Sequence, residues 1–443
     1  MGLEPELIKT GDKTMYKTLT PRLIPALIAI AFSSGAYAAA FQLTGQSASG
    51  VGIANAGAAA VAEDTSTLYY NPAGMTYLPM GHNFSFAATA LNRSTRFTDE
   101  GTSRYAGVYP LGNDGGNGAG LHVVPAMYYA YSLSPDWRLG LAINPTFADE
   151  TEYDQNFIGR YSGMKTRIRI VNLNPSIAYK VNDALSLAFG INYAKAEVEF
   201  KQAVPSPLGP TRADGTGRLE GDASGWGYNL GVMFKPTKDT RLGLSYRSKI
   251  KFDLEGSQNA QVPGLGTVIN RSITADLTTP DTASLALHQQ LTPKWALLAD
   301  YTWTGWSALQ TLEPVTATGA RAVAPLRYNF KDTYRVGLGT TYQVNEQWML
   351  RLGVAFDKGA VPNEQSRTMT VPDEDRTWLA VGAKWRITPK ASLDLGYAHI
   401  FVKEARVARN VYQDVNETVL RQTVRGKFDT SVDYFSLQLN YNF

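Results

Sequence analysis

The chain has 443 residues, with 42 lysines and arginines against 39 aspartates and glutamates, for a formal charge of +3 at pH 7. So even a balance over this length gives no basic surface for nucleic acid, and the absence of cysteine excludes a disulfide scaffold or a thiolate metal centre. Aromatic residues at 11% and 40 glycines suit a chain of many strands and turns.

Taken in order, the sequence first shows Lys17 and Arg22, then the apolar run Leu23–Phe32, then Ala36-Tyr37-Ala38. A basic start, a short apolar stretch and a small-x-small site predict a secretory leader over residues 1–38, too short to span a bilayer as a helix. Glu4, Glu6 and Asp12 precede the basic residues, which points to Met15 as the true start. After the leader no long apolar stretch remains, which excludes a helical membrane protein.

Residues 39–80 are rich in glycine, alanine and serine and carry a tight polar turn at Asn71-Pro72-Ala73. With so little apolar bulk this stretch cannot build its own core. Enclosed by a barrel, its small residues allow close backbone packing, so it is predicted to be a hatch in the lumen. Glu63 and Asp64 are expected to pair there with the lumen-facing cations Arg247, Lys249, Lys251 and Arg351.

From residue 82 onward, over residues 81–443, the dominant pattern is alternation with period two. Leu185, Leu187, Phe189, Ile191 and Tyr193 alternate with Ser186, Ala188, Gly190, Asn192 and Ala194. Leu242, Leu244, Tyr246, Ile250 and Phe252 are read as one face of another strand, and Trp348 to Phe356 and Leu393 to Tyr397 repeat the pattern. The apolar faces end in aromatics and the opposite faces are small, polar or charged, which matches strands crossing a bilayer rather than a soluble sandwich. Short connections near Ser134, Asn182, Pro236, Thr292, Asn345 and Thr388 alternate with long ones at about 95–120, 148–165, 201–223, 257–270, 308–329, 359–374 and 404–427. Short periplasmic turns and long outer loops predict an all-β antiparallel transmembrane barrel of about fourteen strands. Residues 271–291 are read as one strand interrupted at Pro280-Asp281. The chain ends on an alternating strand with Phe443 last, the feature that outer-membrane assembly machinery reads.

Phe41-Gln42-Leu43, the serine and glycine run at 47–57 and Asn71-Pro72-Ala73 resemble the hatch of the FadL family, outer-membrane transporters for long-chain fatty acids and other hydrophobic compounds. The resemblance continues through Tyr246-Arg247-Ser248, Trp303–Ser307 and Phe330–Arg335, and is strongest at Val371–Trp378. It implies a monomeric barrel in the outer membrane of a Gram-negative bacterium, with surrounding lipid and lipopolysaccharide. It further implies a ligand pocket above the hatch and sideways release at a kink in the third strand, without cofactor or metal. An apolar cargo suits that route, since each buried methylene is worth about 0.8 kcal/mol and no energy source is needed to reach lipid.

The resemblance also assigns candidate residues. Pro145 interrupts the ladder of the third strand, so Asn144, Pro145 and Phe147 are candidates for the rim of a lateral gap. Phe41 corresponds to a residue coupling ligand to hatch. Phe200 and Leu326 stand where the family has bases for a fatty-acid carboxylate, with Lys201 and Arg327 adjacent. That departure leaves an aromatic-hydrocarbon cargo as the alternative. Loop 201–223 has no amphipathic helical period, so an outer capture groove is expected to be reduced. A barrel lipase would need a serine motif near one of His82, His122, His288 or His399, and none has one. A general porin would have no use for a filled lumen.

Overall fold

The structure is a computed structural model that describes residues 40–103, 111–209 and 212–443. The expected leader and the alternative start at Met15 lie outside the described residues.

Fourteen antiparallel strands close on themselves. They begin with β1 (His82–Asp99), β2 (Leu121–Ser132), β3 (Trp137–Glu152), β4 (Lys165–Lys180), β5 (Leu185–Val204) and β6 (Gly215–Thr237). Next come β7, in two segments (Thr240–Arg247 and Ile250–Val262), and β8, likewise in two (Gly266–Thr279 and Thr282–Thr292). The remainder are β9 (Trp295–Thr304), β10 (Thr333–Gln343), β11 (Trp348–Asp357), β12 (Arg376–Arg386), β13 (Ala391–Val402 with Ala405–Tyr412) and β14 (Leu420–Asn442). Closure is made by β1 against β14, in register from Asn83↔Asn442 to Asp99↔Gly426. The alternation explains why the barrel forms: Leu187, Phe189 and Ile191, or Leu350, Leu352 and Val354, are exposed outward as a lipid-facing band, while every backbone group within a closed barrel is paired.

At the closure, His82 and Phe443 exchange backbone hydrogen bonds of 2.8 and 2.9 Å, and their rings stack at 4.9 Å. Deleting Phe443 removes both contacts from the seam. The folded, heat-modifiable form on a cold gel is expected to fall by roughly tenfold, the effect of about 1.4 kcal/mol.

The expected long loops are partly strand. Residues 201–204 and 215–223 are the arms of a hairpin, as are 257–262 with 266–270 and 405–412 with 420–427. The outer half of the barrel is therefore a wall rising above the lipid band. No helix occurs among the described residues of 201–223.

The interruption of β8 lies where expected, but β7 corrects the sequence reading. Arg247 pairs with Thr282 in the lower segments, and Ile250 with Thr279 in the upper ones. Two residues intervene on each strand, Ser248-Lys249 and Pro280-Asp281, so both strands change phase at one level. A one-residue slip turns every side chain to the other face. Below the break Leu244 points outward; above it Ile250, Phe252 and Leu254 are buried inward, and Lys251 is exposed. Lys251 pairs with Asp253 and Asp276 on the outside and Lys249 is exposed, so neither serves the hatch.

Residues 40–78 fill the lumen with four short turns of helix: α1 (Ala48–Val51), α2 (Ala58–Val61), α3 (Thr67–Tyr70) and a 3-10 turn (Pro72–Tyr77). Ser47 caps α1 by accepting from Gly50 N at 3.0 Å. Glycine permits the docking: a Cβ on Gly353 of β11 would meet the carbonyl of Ile53 at 2.1 Å, and one on Gly382 of β12 the Cα of Gly52 at 2.8 Å.

Candidate functional site

Above the hatch the phase change of β7 and β8 packs Ile250, Phe252, Leu254 and Leu277 with Ile168 and Ile170 of β4 and Ala194, Ala196 and Val198 of β5 in one buried apolar cluster, termed the chamber. The segment between β9 and β10 folds inward to close it with Trp306, Leu309, Leu312, Tyr328 and Phe330. Its floor is Phe41, fully buried, edge-on to Trp306 at 4.9 Å and to Phe147 at 6.0 Å. The Trp306 Nε1–H has no hydrogen-bond partner in this dry setting.

Toward the outside the chamber meets a cavity of about 160 Å³ lined by Phe200, Lys201, Leu326, Tyr328, Lys165 and Arg218 among others. Three of the candidate residues are thus brought together. Arg327 is not one of the lining residues; its guanidinium holds Glu417 at 2.6 Å in the outer loops, and that bond holds its pKa above the usual arginine value. Sequence reasoning missed Lys165, which is nearly buried and lies 3.1 Å from Glu152, 3.5 Å from Glu150 and 3.6 Å from Glu199. Lys201 also reaches Glu152 at 3.4 Å and Arg218 reaches Glu199 at 2.9 Å. Every cation lining the cavity already has a carboxylate.

The strand pairing of the side wall breaks at β3. The β2–β3 ladder runs from Ser132↔Arg138 to Met127↔Ile143 and stops. Continued, the register would place Pro125 opposite Pro145, and neither has an N–H to donate. A bulge follows between Pro145 and Phe147, and β3 goes on to Glu152 paired with β4 alone. The exposed edge is taken by the hatch. Leu43 N donates to Thr146 O at 2.9 Å and Ala148 N to Phe41 O at 2.9 Å. Gln42 bridges Phe147. Gln46 Nε2 donates to Pro145 O at 2.7 Å, and Gln46 Oε1 accepts from Asn144 Nδ2 at 2.9 Å. Pro125 was the signal available in the sequence and not used.

Lower down, the hatch is bolted to the barrel. Asn71 Nδ2 donates to Ala59 O at 2.8 Å and to Val232 O at 3.0 Å, while its Oδ1 accepts from Ala73 N at 3.1 Å. Arg351, fully buried, lies 2.7 Å from both Glu63 and Asp394. Burial raises the Glu63 carboxyl, but Arg351 and then Lys384 outweigh it and hold the pKa at about 2. Asp64 departs from expectation: it accepts from Ser49 Oγ at 2.7 Å and Ser66 N at 2.9 Å, inside the hatch. Arg247 likewise has hydrogen bonds to Asn192 and to Tyr69 O rather than an acid.

Among the described residues the histidines build no serine triad. His399 bonds Asp433 at 2.8 Å, and the third group on that carboxylate is the Tyr397 hydroxyl at 2.9 Å.

Comparison with known proteins adds four findings. The profile of the family described as "Outer membrane protein transport protein (OMPP1/FadL/TodX)" matches residues 29–443. The chain is 31% identical to outer membrane protein P1 of Haemophilus influenzae over 93% of this chain and 96% of that one. It is 29% identical to the long-chain fatty acid transport protein of Escherichia coli over 90% and 96%. Among solved structures, a FadL homologue of Pseudomonas aeruginosa superposes with a TM-score of 0.83 at 25% identity, over 91% of this chain and all of that one.

Proposed function

The chain belongs to the OMPP1/FadL/TodX family of outer membrane transport proteins, and on that premise we propose that it takes up long-chain fatty acids passively and releases them sideways into the membrane. It is a β-barrel of the Gram-negative outer membrane. The observation that carries the reading is the double position of Phe41. Its ring is the floor of the apolar chamber, and its carbonyl accepts from Ala148 on the open edge of β3. A cargo pressing on that ring pulls at the strand that seals the gap.

In this reading residues 1–38 are a removed leader, 39–80 the hatch and 81–443 the barrel, working as a monomer amid lipid and lipopolysaccharide. Phe443 addresses the chain to the assembly machinery. Phe200 and Leu326 contact the acyl chain, Lys201 or Arg327 draws the carboxylate, and Asn144, Pro145 and Phe147 rim the exit. Asn71, Pro72, Ala73, Glu63 and Asp64 hold the hatch seated. The protein carries out transfer, not catalysis.

One observation favours a second cargo. The cations lining the outer cavity are matched by Glu150, Glu152 and Glu199, which suits a neutral aromatic hydrocarbon better than an anion. Uptake of labelled oleate and labelled toluene by cells lacking their own transporter separates the two. Oleate uptake that falls roughly tenfold in Lys201→Ala or Arg327→Ala, the loss of one charge-assisted hydrogen bond, supports the fatty-acid reading and identifies the anchor. Toluene uptake without oleate uptake transfers the assignment to hydrocarbons. Uptake of neither by a folded protein overturns transport.

A further inference from the structure

Beneath the chamber floor, between the hatch and β7–β10, lies a second cavity of about 90 Å³. Gln42 roofs it, with Nε2 donating to Thr282 Oγ1 at 3.4 Å and Oε1 accepting from Thr304 Oγ1 at 3.5 Å. Among its lining residues are two guanidiniums, Arg247 and Arg335, and one carboxylate, Asp300.

Arg335 is 6% exposed. Its Nη1 bonds Asp300 Oδ2 at 2.9 Å, while Nε and Nη2 are buried without any hydrogen-bond partner. Asp300 does not bond them: its Oδ1 accepts from Gly57 N at 3.3 Å, and its Oδ2 also accepts from Thr302 Oγ1 at 3.3 Å. Arg247 has no carboxylate partner among the described residues. The wall of the cavity therefore carries an excess positive charge, and two orphaned N–H donors lie in the side chain of one of its lining residues. Such donors are costly when buried unless an acceptor occupies the space, and the planar fork of arginine matches a carboxylate.

We propose that this cavity is a transit site for the carboxylate of the cargo, resting on the fatty-acid reading above. The strand Phe41–Thr44 separates the cavity from the gap at β3. When it leaves Thr146 and Ala148, chamber, cavity and gap become one space. The head group then lodges on Arg335 and Arg247 while the apolar tail passes the rim into lipid.

Two measurements test this. Crystals soaked in bromide should show an anomalous peak on Nε and Nη2 of Arg335, with higher occupancy in Asp300→Asn, which removes the competing charge. In cells, Arg335→Gln and Arg247→Gln should each lower oleate uptake by about tenfold, the loss of a charge-assisted hydrogen bond, with toluene uptake at the wild-type level. Arg335→Lys keeps the charge and should recover part of the loss. Absence of the bromide peak overturns the proposal. So does a peak with unchanged oleate uptake, which reduces the cavity to a site for small inorganic anions. An equal fall in oleate and toluene uptake also overturns it, because that is a loss of hatch structure. Should Arg335→Gln fail to fold, Arg247→Gln decides alone, since Arg247 has no buried acid to strand. Wild-type protein that moves no oleate defeats the fatty-acid reading rather than the anion site, which bromide still reports.

Discussion

Replacing Arg351 by leucine is expected to unseat the hatch and turn a closed barrel into a conducting one. The side chain is fully buried between Glu63 of the hatch and Asp394 of β13. Its removal takes the shared cation from two lumenal carboxylates and leaves Glu63 with Lys384 at 3.8 Å and Asp394 with Asn440 Nδ2 at 2.6 Å; breaking a buried pair from one side costs about 3–5 kcal/mol. The rest of the attachment near this point is weaker: Lys384 lies 3.8 Å from Glu63, Ala48 N donates to Gln438 Oε1 at 2.9 Å, and Ile53 approaches Gly353 and Gly52 approaches Gly382 closely. Single-channel conductance in planar bilayers should rise from near closure to porin-like steps, and cells should become permeable to large antibiotics. The triple variant Arg351→Leu, Glu63→Gln, Asp394→Asn should recover much of the closure, because it removes the charges together. A quiet single variant would show that the hatch is held elsewhere, by Asn71. The same pair sets the acid limit. Glu63 has a folded pKa of about 2, below its usual 4.5. Its contribution is complete above the usual value and is lost as the pH falls through about 2. Conductance should therefore stay low at pH 4 and rise only under strongly acid conditions.

Locking the hatch strand onto β3 is expected to abolish uptake reversibly. Gln42 and Phe147 are bridge partners, and opposed antiparallel residues have Cα atoms about 4.5–5.5 Å apart, within the range a disulfide spans. The chain has no cysteine, so Gln42→Cys with Phe147→Cys forms one defined bond. Oxidised, it should lower oleate uptake by more than about tenfold, since the open edge stays covered and loop-closing links resist release. Dithiothreitol should restore it, and the reduced form controls for the lost Phe147 ring. Uptake indifferent to oxidation would mean that cargo leaves without displacing Phe41–Leu43.

Much of this was written in the order of residues. Leu187, Phe189 and Ile191 against Ser186, Ala188 and Gly190 declare a lipid-facing strand, because side-chain direction in a strand depends only on parity. Repeated along the chain with short and long connections, that local rule yields the barrel and its fourteen strands. Small residues at 47–60 announce a segment that must be enclosed, and Pro145 marks a broken ladder, because proline lacks its donor in any context.

What the sequence alone could not decide are relations between distant positions. Parity reverses at Ser248-Lys249 because β8 breaks at the same level at Pro280-Asp281, and only the pairing of Ile250 with Thr279 shows it. That reversal carries Phe252 into the chamber and Lys251 out of the lumen. The break in pairing at β3 involves Pro125 as well as Pro145, two residues twenty positions apart that only the register sets face to face. Arg351 was legible as one of four lumenal cations, with Glu63 and Asp64 as acids for them, but Arg247 carried the same local signature, and Arg327 was legible only as a cation next to Leu326. One has Tyr69 and Asn192 and the other Glu417, because a charge takes the partner that three-dimensional proximity supplies and burial makes strong.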